Sequence, residues 1–207
     1  MLENYKKLII SPHIDDEVLG CGGILDSNTF ILECGVDEFH VVSKEDRIKE
    51  LNSAQKISNF NFITLNHRVN YYELKPLIDD ISNTINQQKP DIVFIPYPSY
   101  NQDHQTVYKA AMVALRPHDI NFFVKKVLVY EEPDMIQWNY SFNINDTFKP
   151  NFFTEIDIER KISQYECLKS QNRSFRSSDF LRKISEFRGE QSMLKNAEAF
   201  LTLRWIE

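Results

Sequence analysis

The segment Ser11-Pro-His13-Ile-Asp15-Asp16-Glu17 sets one imidazole and three carboxylates within five residues. Neighbouring carboxylates repel, so such a cluster is costly unless a cation or a reaction makes use of it. A second cluster, Asn101-Gln-Asp103-His104, follows Tyr97-Pro-Ser-Tyr100. A catalytic metal site with an open position needs three nitrogen or oxygen donors held on rigid elements. His13 and Asp16 sit three apart around a strand-to-helix turn and can converge on one point, and His104 is the best third ligand. Zinc is the expected ion, with iron(II) the alternative, and zinc brings the pKa of a bound water to about 7. Asp15, adjacent but not ligating, is then placed to take the proton of that water. Asp103 is placed to orient an imidazole or to stabilise positive charge behind the ligands.

Plainer uses compete at each position. Acidic residues at a helix start are commonly caps or dipole partners, which is explanation enough for Glu17 alone. A lone histidine at a helix start, such as His104, is an ordinary surface residue. The joint pattern of His and two Asp in one turn, with an Asp-His pair after another strand, favours chemistry. His67, in the loop Asn66-His67-Arg68, is a further candidate for the substrate side of the site or for proton delivery. His40, alternating within an apolar run, and His118, after Pro117, read as structural or solvated.

The elements that must position these groups are legible as alternating apolar runs. Leu8-Ile9-Ile10 reads as a short buried strand, followed by a helix from Glu17 to about Leu25 that Asp15 or Asp16 can cap. The next strands are expected at Glu38–Ser43, Phe60–Leu65, Asp91–Pro96 and Lys125–Tyr130. Helical patterns lie between them at Glu45–Ser58, Leu74–Ile85 and Thr106–Leu115. Phe152–Ile156 reads as an edge strand, and Asp157–Leu168 and Leu181–Phe187 as helices. This order predicts a Rossmann-like α/β fold, a mostly parallel sheet with helices on both faces. Ligands of such sheets bind beyond the carboxyl ends of the strands, where the loops with His13, His67 and His104 belong. The glycines of Gly20-Cys-Gly-Gly23 come too late after the first strand for a dinucleotide-binding loop and are read as packing positions in the helix.

Composition bounds the function. The 207 residues suit one domain spanning 1–207, and the net charge of −6 argues against a nucleic-acid partner. No apolar run approaches membrane-spanning length and no leader pattern opens the chain. Cys21, Cys34 and Cys167 form no CxxC pair, so a cytoplasmic protein with reduced thiols is expected. The aromatic group Trp138, Tyr140, Phe142, Phe148, Phe152 and Phe153 reads as core and sheet-edge cover, with a sugar-stacking wall or a subunit contact in an oligomer as its other uses.

Ser-Pro-His13-Ile-Asp15-Asp16-Glu17-Val-Leu-Gly20-Cys-Gly22-Gly23 resembles the PHPDDE-plus-glycines signature of the PIG-L/LmbE-like zinc de-N-acetylases. Arg47-Ile-Lys-Glu50 resembles that family's R-x-x-E helix, Asn101-Gln-Asp103-His104 its H-x-D-H segment, Ser170-Gln171, with Lys161 before it, its helix ending in Ser-Gln, and Ala197-Glu198-Ala-Phe200 its closing A-E-A-F. The resemblance implies zinc on His13, Asp16 and His104, Asp15 as general base, and Arg47 in contact with substrate. It implies hydrolysis of an acetamide on an amino sugar or sugar conjugate, with Asn101 or Tyr100 helping the oxyanion. Three departures stand out. Ile14 replaces a proline, Asn101 stands where the family often has a histidine, and only Lys44-Glu-Asp separates Ser43 from Arg47 where many members carry a longer loop. An amide donates a hydrogen bond but delivers no proton at neutral pH, so proton return to the leaving amine falls to Asp15 or His67. The rival readings are a catalytically weak sugar-binding protein that keeps the metal pocket, and a nucleotide-binding protein that uses the glycines.

Overall fold

The computed structural model describes residues 2–36, 42–118, 122–133, 136 and 148–207. Among them are seven strands in one sheet, β1 (Lys7–Ser11), β2 (Thr29–Glu33), β3 (Asn61–Thr64), β4 (Ile92–Pro96), β5 (Lys126–Tyr130), β6 (Phe152–Glu155) and β7 (Ala197–Trp205). Six α-helices accompany them: α1 (Asp16–Cys21), α2 (Lys44–Ser58), α3 (Leu74–Gln88), α4 (Gln102–Ala114), α5 (Ile158–Cys167) and α6 (Ser178–Ser192). The sheet order is β3-β2-β1-β4-β5-β7-β6. The first five strands are mutually parallel, whereas β7 runs antiparallel between β5 and β6.

Alternation along the strands builds two cores. Ile9, Ile92, Phe94 and Leu128 face one side, where Val18 of α1, Leu51 and Ala54 of α2, Tyr165 of α5 and Leu181 of α6 cover them. Leu8, Ile10, Val93, Ile95 and Val127 face the other, against Leu77, Ile81 and Ile85 of α3 and Val107, Ala110 and Ala111 of α4. A period of two in the strands and of three to four in the helices therefore meets on both faces of the sheet.

Two strands differ from the sequence reading. The second is Thr29–Glu33, pairing with both β1 and β3, not Glu38–Ser43. Residues 38–41, His40 included, lie outside the described residues, as do Trp138, Tyr140 and Phe142 of the aromatic group. Val42 and Ser43 belong to no strand. Ser43 instead caps α2, its hydroxyl accepting from the Asp46 N–H. The nine-residue β7 holds the A-E-A-F segment and was expected as no element at all. It leaves β6 at the sheet edge, where the sequence reading put it. The first helix is also shorter than expected, six residues running into a 3-10 turn, Gly22–Ile24. Asp15 occupies its N-cap position without capping it through its side chain.

Candidate active site and metal centre

The strand order reverses between β1 and β4, where crossovers leave in opposite directions, and this is where an open α/β sheet binds its ligands. The loop after β1 carries His13, Asp15 and Asp16; the loop after β4 ends at Asn101, the N-cap of α4. His104 stands in the first turn of that helix. The structure thus brings together residues ninety positions apart. His13 Nδ1 lies 3.4 Å from Asp16 Oδ2 and 3.3 Å from His104 Nε2, and His104 Nε2 lies 3.2 Å from Asp16 Oδ2. Metal–ligand arms of about 2.0–2.1 Å separate the donors of a tetrahedral site by about 3.3–3.4 Å. The triangle of donor atoms fits a zinc-sized ion in size and in chemistry.

Behind the ligands, Asp103 is fully buried. Its Oδ2 lies 3.0 Å from His13 Nε2 and accepts the Asn70 N–H at 2.7 Å. That leaves His13 Nδ1 as the nitrogen facing Asp16 and His104. Glu132, two residues past the end of β5, places a carboxylate oxygen 3.6 Å from His104 Nδ1. Burial works against a charged His13, yet the hydrogen bonds to Asp103 and Asp16 outweigh it and carry its pKa up to about 10. Burial likewise opposes an ionised Asp16, but His104 and His13 hold it well below the usual carboxylate range.

Asp15 is held in a conformation few non-glycine residues adopt, φ 145°. Its N–H donates to Glu17 Oε2 at 2.8 Å, and its carbonyl accepts from Val18 and Leu19 to start α1. The side chain is drawn instead to Arg176, whose Nη2 donates to Asp15 Oδ2 at 2.7 Å. Burial pushes the Asp15 carboxyl up to about 6, with Arg176 pulling the other way. Glu17 is fully buried beneath this turn and is pushed up to about 8 by burial. Its role is to brace the turn through the Asp15 amide.

A cavity of about 780 Å³ opens over the site. His13, Asp15, Asp16 and His104 line it together with Asn101, Tyr100, Asn70, Glu132 and Arg47. Asn101 Oδ1 accepts the Asp103 N–H at 2.8 Å, so its remaining polar group, the Nδ2 amide, is a donor. Arg47 donates to the Ile14 carbonyl at 2.7 Å and to Ser170 Oγ at 2.8 Å, which ties α2 to the metal loop and to the Ser170-Gln171 segment. Tyr100 is about half exposed on the cavity wall.

His67 is placed elsewhere. Its Nε2 meets Asp80 Oδ2 of α3 at 2.8 Å, and it is absent from the cavity lining. The reason is topological: β3 lies two strands out from β1, about 10 Å at ordinary strand spacing. Asn70, further along the same loop, reaches the site in its stead. Arg176, Glu132 and Asn70 were not singled out by the sequence. Glu132 follows a strand end and was open to the same reasoning as His13 and His104, whereas nothing local distinguishes Arg176 or Asn70.

No family model and no curated protein matches the chain. Solved structures do. The conserved protein TT1542 from Thermus thermophilus superposes with a TM-score of 0.79 at 21% identity, over 98% of this chain and 96% of that one. The N,N'-diacetylchitobiose deacetylase from Pyrococcus horikoshii, complexed with an inhibitor, gives 0.76 at 21% identity over 98% and 85%. GalB, the 4-carboxy-2-hydroxymuconate hydratase of Pseudomonas putida KT2440, gives 0.75 at 16% identity over 98% of both chains, so one fold here carries more than one chemistry. Further deacetylases match as well. The chain has the fold of the LmbE/PIG-L-type deacetylases.

Proposed function

We propose that the protein is a metal-dependent hydrolase that removes the acetyl group from an N-acetylated amino-sugar-type substrate. The observation that carries this reading is the donor triangle of His13, Asp16 and His104, with edges of 3.2 to 3.4 Å, beside a carboxylate that belongs to no edge of it, Asp15. His13, Asp16 and His104 would hold the ion, and zinc suits two imidazoles and one carboxylate. When bound, such an ion supplies Lewis acidity toward a carbonyl oxygen and acidifies water.

The chain's own residues do the rest. Asp15 takes a proton from the attacking water and returns it to the amide nitrogen, so that acetate and a free amine leave. Arg176 and the strained backbone hold that carboxylate in place. The Asn101 amide donates toward the oxygen on which negative charge develops. Arg47 contributes by fixing the Ile14 carbonyl and Ser170, and lines the substrate cavity. The chitobiose deacetylase named above supports an amino-sugar acetamide as substrate class. The same reading takes the protein to be cytoplasmic; among the described residues no helix is long and apolar enough to cross a membrane.

Metal analysis joined to an acetate-release screen on N-acetylated sugars tests this. Purified protein should hold about one zinc and release acetate from at least one sugar. Asp15→Asn should keep the metal and lose turnover by about 100-fold or more, and His13→Ala or His104→Ala should lose the metal. A metal-loaded protein that deacetylates nothing in the screen, or full turnover in Asp15→Asn, overturns the assignment. Metal-dependent sugar binding with no acetate release would favour the sugar-binding rival.

A further inference from the structure

The loop between β3 and α3, residues 65–73, carries His67, which the site did not take up. Five residues further on, Tyr72 does reach the metal loop. Its hydroxyl donates to the carbonyl oxygen of Pro12 at 2.6 Å, across sixty positions of sequence. The phenol ring is partly buried against the core that α3 and α4 cover. It meets the His67 ring at a steep angle, centroids 6.0 Å apart, and Asp80 of α3 holds that imidazole at 2.8 Å. Gly35, two residues past β2, leaves the hydroxyl its room. A Cβ there would fall 2.4 Å from Tyr72 Oη and 2.7 Å from the His67 carbonyl oxygen. Tyr72 thus has a seat built from β2, α3 and the loop after β1.

What that hydroxyl holds gives the contact its meaning. The Pro12 carbonyl and the His13 N–H are two ends of one planar peptide group. The N–H end donates to Asp16 Oδ2 at 3.0 Å. That same oxygen is a corner of the donor triangle, 3.4 Å from His13 Nδ1 and 3.2 Å from His104 Nε2. Tyr72 therefore grips one end of a rigid unit whose other end grips a candidate ligand oxygen. A hydrogen bond accepted by the carbonyl also polarises the peptide and strengthens donation by its N–H. On the far side of His13, the next carbonyl accepts from Ser11 Oγ at 2.7 Å. The backbone is fixed on both sides of this imidazole, and without the phenol only the Ser11 side keeps its anchor.

We propose that Tyr72 is a positioning residue of the metal centre. Through the Pro12–His13 peptide it sets the orientation of the Asp16 carboxylate and of His13, and so the affinity of the three donors for their ion. The inference rests on the reading of His13, Asp16 and His104 as a metal site, and is independent of the acetamide chemistry.

Tyr72→Phe tests it, since the substitution removes the hydroxyl and keeps the ring. Tyr130→Phe is the matched control: the Tyr130 hydroxyl donates to the Ile10 carbonyl at 2.9 Å, two residues before Pro12. Metal-stripped wild-type protein and both variants are titrated with zinc against a chromophoric chelator. They are titrated in parallel with cobalt(II), whose visible absorption reports the geometry of its ligands, and far-ultraviolet circular dichroism checks the fold of each. Tyr72→Phe should weaken zinc binding by about 10-fold or more and shift or weaken the cobalt bands. Tyr130→Phe should lose thermal stability yet keep the wild-type affinity and spectrum. Wild-type affinity and spectrum in Tyr72→Phe would overturn the proposal and leave the metal site standing. Equal losses in the two variants would overturn it as well, because they would trace to a general loosening of β1 rather than to the Pro12–His13 peptide. A wild-type protein that binds neither ion would fail the metal reading itself, and this inference with it.

Discussion

At His13 the two ring nitrogens have separate roles, one facing the donor triangle and the other 3.0 Å from Asp103 Oδ2. Removing Asp103 takes away the acceptor that sets the ring's orientation and strands the Asn70 N–H, which shares the same oxygen at 2.7 Å. Asp103→Ala should therefore lower zinc affinity by about 10- to 100-fold, read by competition with a chromophoric chelator, while circular dichroism stays unchanged. Unaltered affinity would show that Asp103 does not position the ligand. The meeting of His13, Asp16 and His104, with Asp15 beside them, was legible in the sequence because it rests on a spacing: residues three apart across a turn, and a second pair after another strand. Arg176 was not legible. It is one of several basic residues in its segment, and its meaning comes from a contact with Asp15 across 161 positions. His67 misled for the complementary reason, since a suitable loop says nothing of how far its strand lies from the switch point.

Among the elements, α1 shows how a helix is fitted under a site. A Cβ on Gly20 would fall 2.2 Å from Cδ2 of Tyr130, a side chain fully buried in β5 and tied by its hydroxyl to the Ile10 carbonyl at 2.9 Å. Tyr130 cannot swing aside without giving up that bond. Alanine is worth up to about 1 kcal/mol over glycine inside a helix, whereas overpacking costs about 1–3 kcal/mol. With this anchored ring the overpacking prevails, and Gly20→Ala should lower stability by about 1–2 kcal/mol in urea unfolding. A gain in stability would show that α1 can lift away from β5. The packing role of this glycine was readable from its place beyond the strand end. The two misread strands were not readable in the same way. Thr29–Glu33 is five residues ending in a buried glutamate, and Ala197–Trp205 mixes Glu198 and Arg204 into its apolar pattern. Both charges of β7 are bound into the structure. Glu198 pairs with Lys161 at 2.6 Å and accepts the Gly23 N–H, and Arg204 donates to the carbonyls of Leu115 and Val124. Buried partners turned polar residues into strand residues, and composition alone cannot foresee that.

At the scale of the molecule, the candidate metal site is expected to be superimposed on a fold that stands without it. The two apolar cores lie on either face of the sheet, whereas the three candidate donors stand past the ends of β1 and β4. Metal should therefore stabilise the folded chain without being required for folding, unlike small domains that are unfolded without their ion. Zinc at about 100 times its dissociation constant adds about 2.7 kcal/mol, and in a chain of this length each kcal/mol moves Tm by about 2–4 °C. Chelation should thus lower Tm by about 5–10 °C, restored by one equivalent of zinc, with far-ultraviolet circular dichroism at about 25 °C unaltered. His104→Ala should have the lower Tm from the start and respond to neither treatment. Collapse of the fold on chelation would mean that the loops after β1 and β4 are held together by the ion alone. A Tm indifferent to zinc in the unaltered protein would mean that the donor triangle binds no metal, and the hydrolytic reading would fall with it.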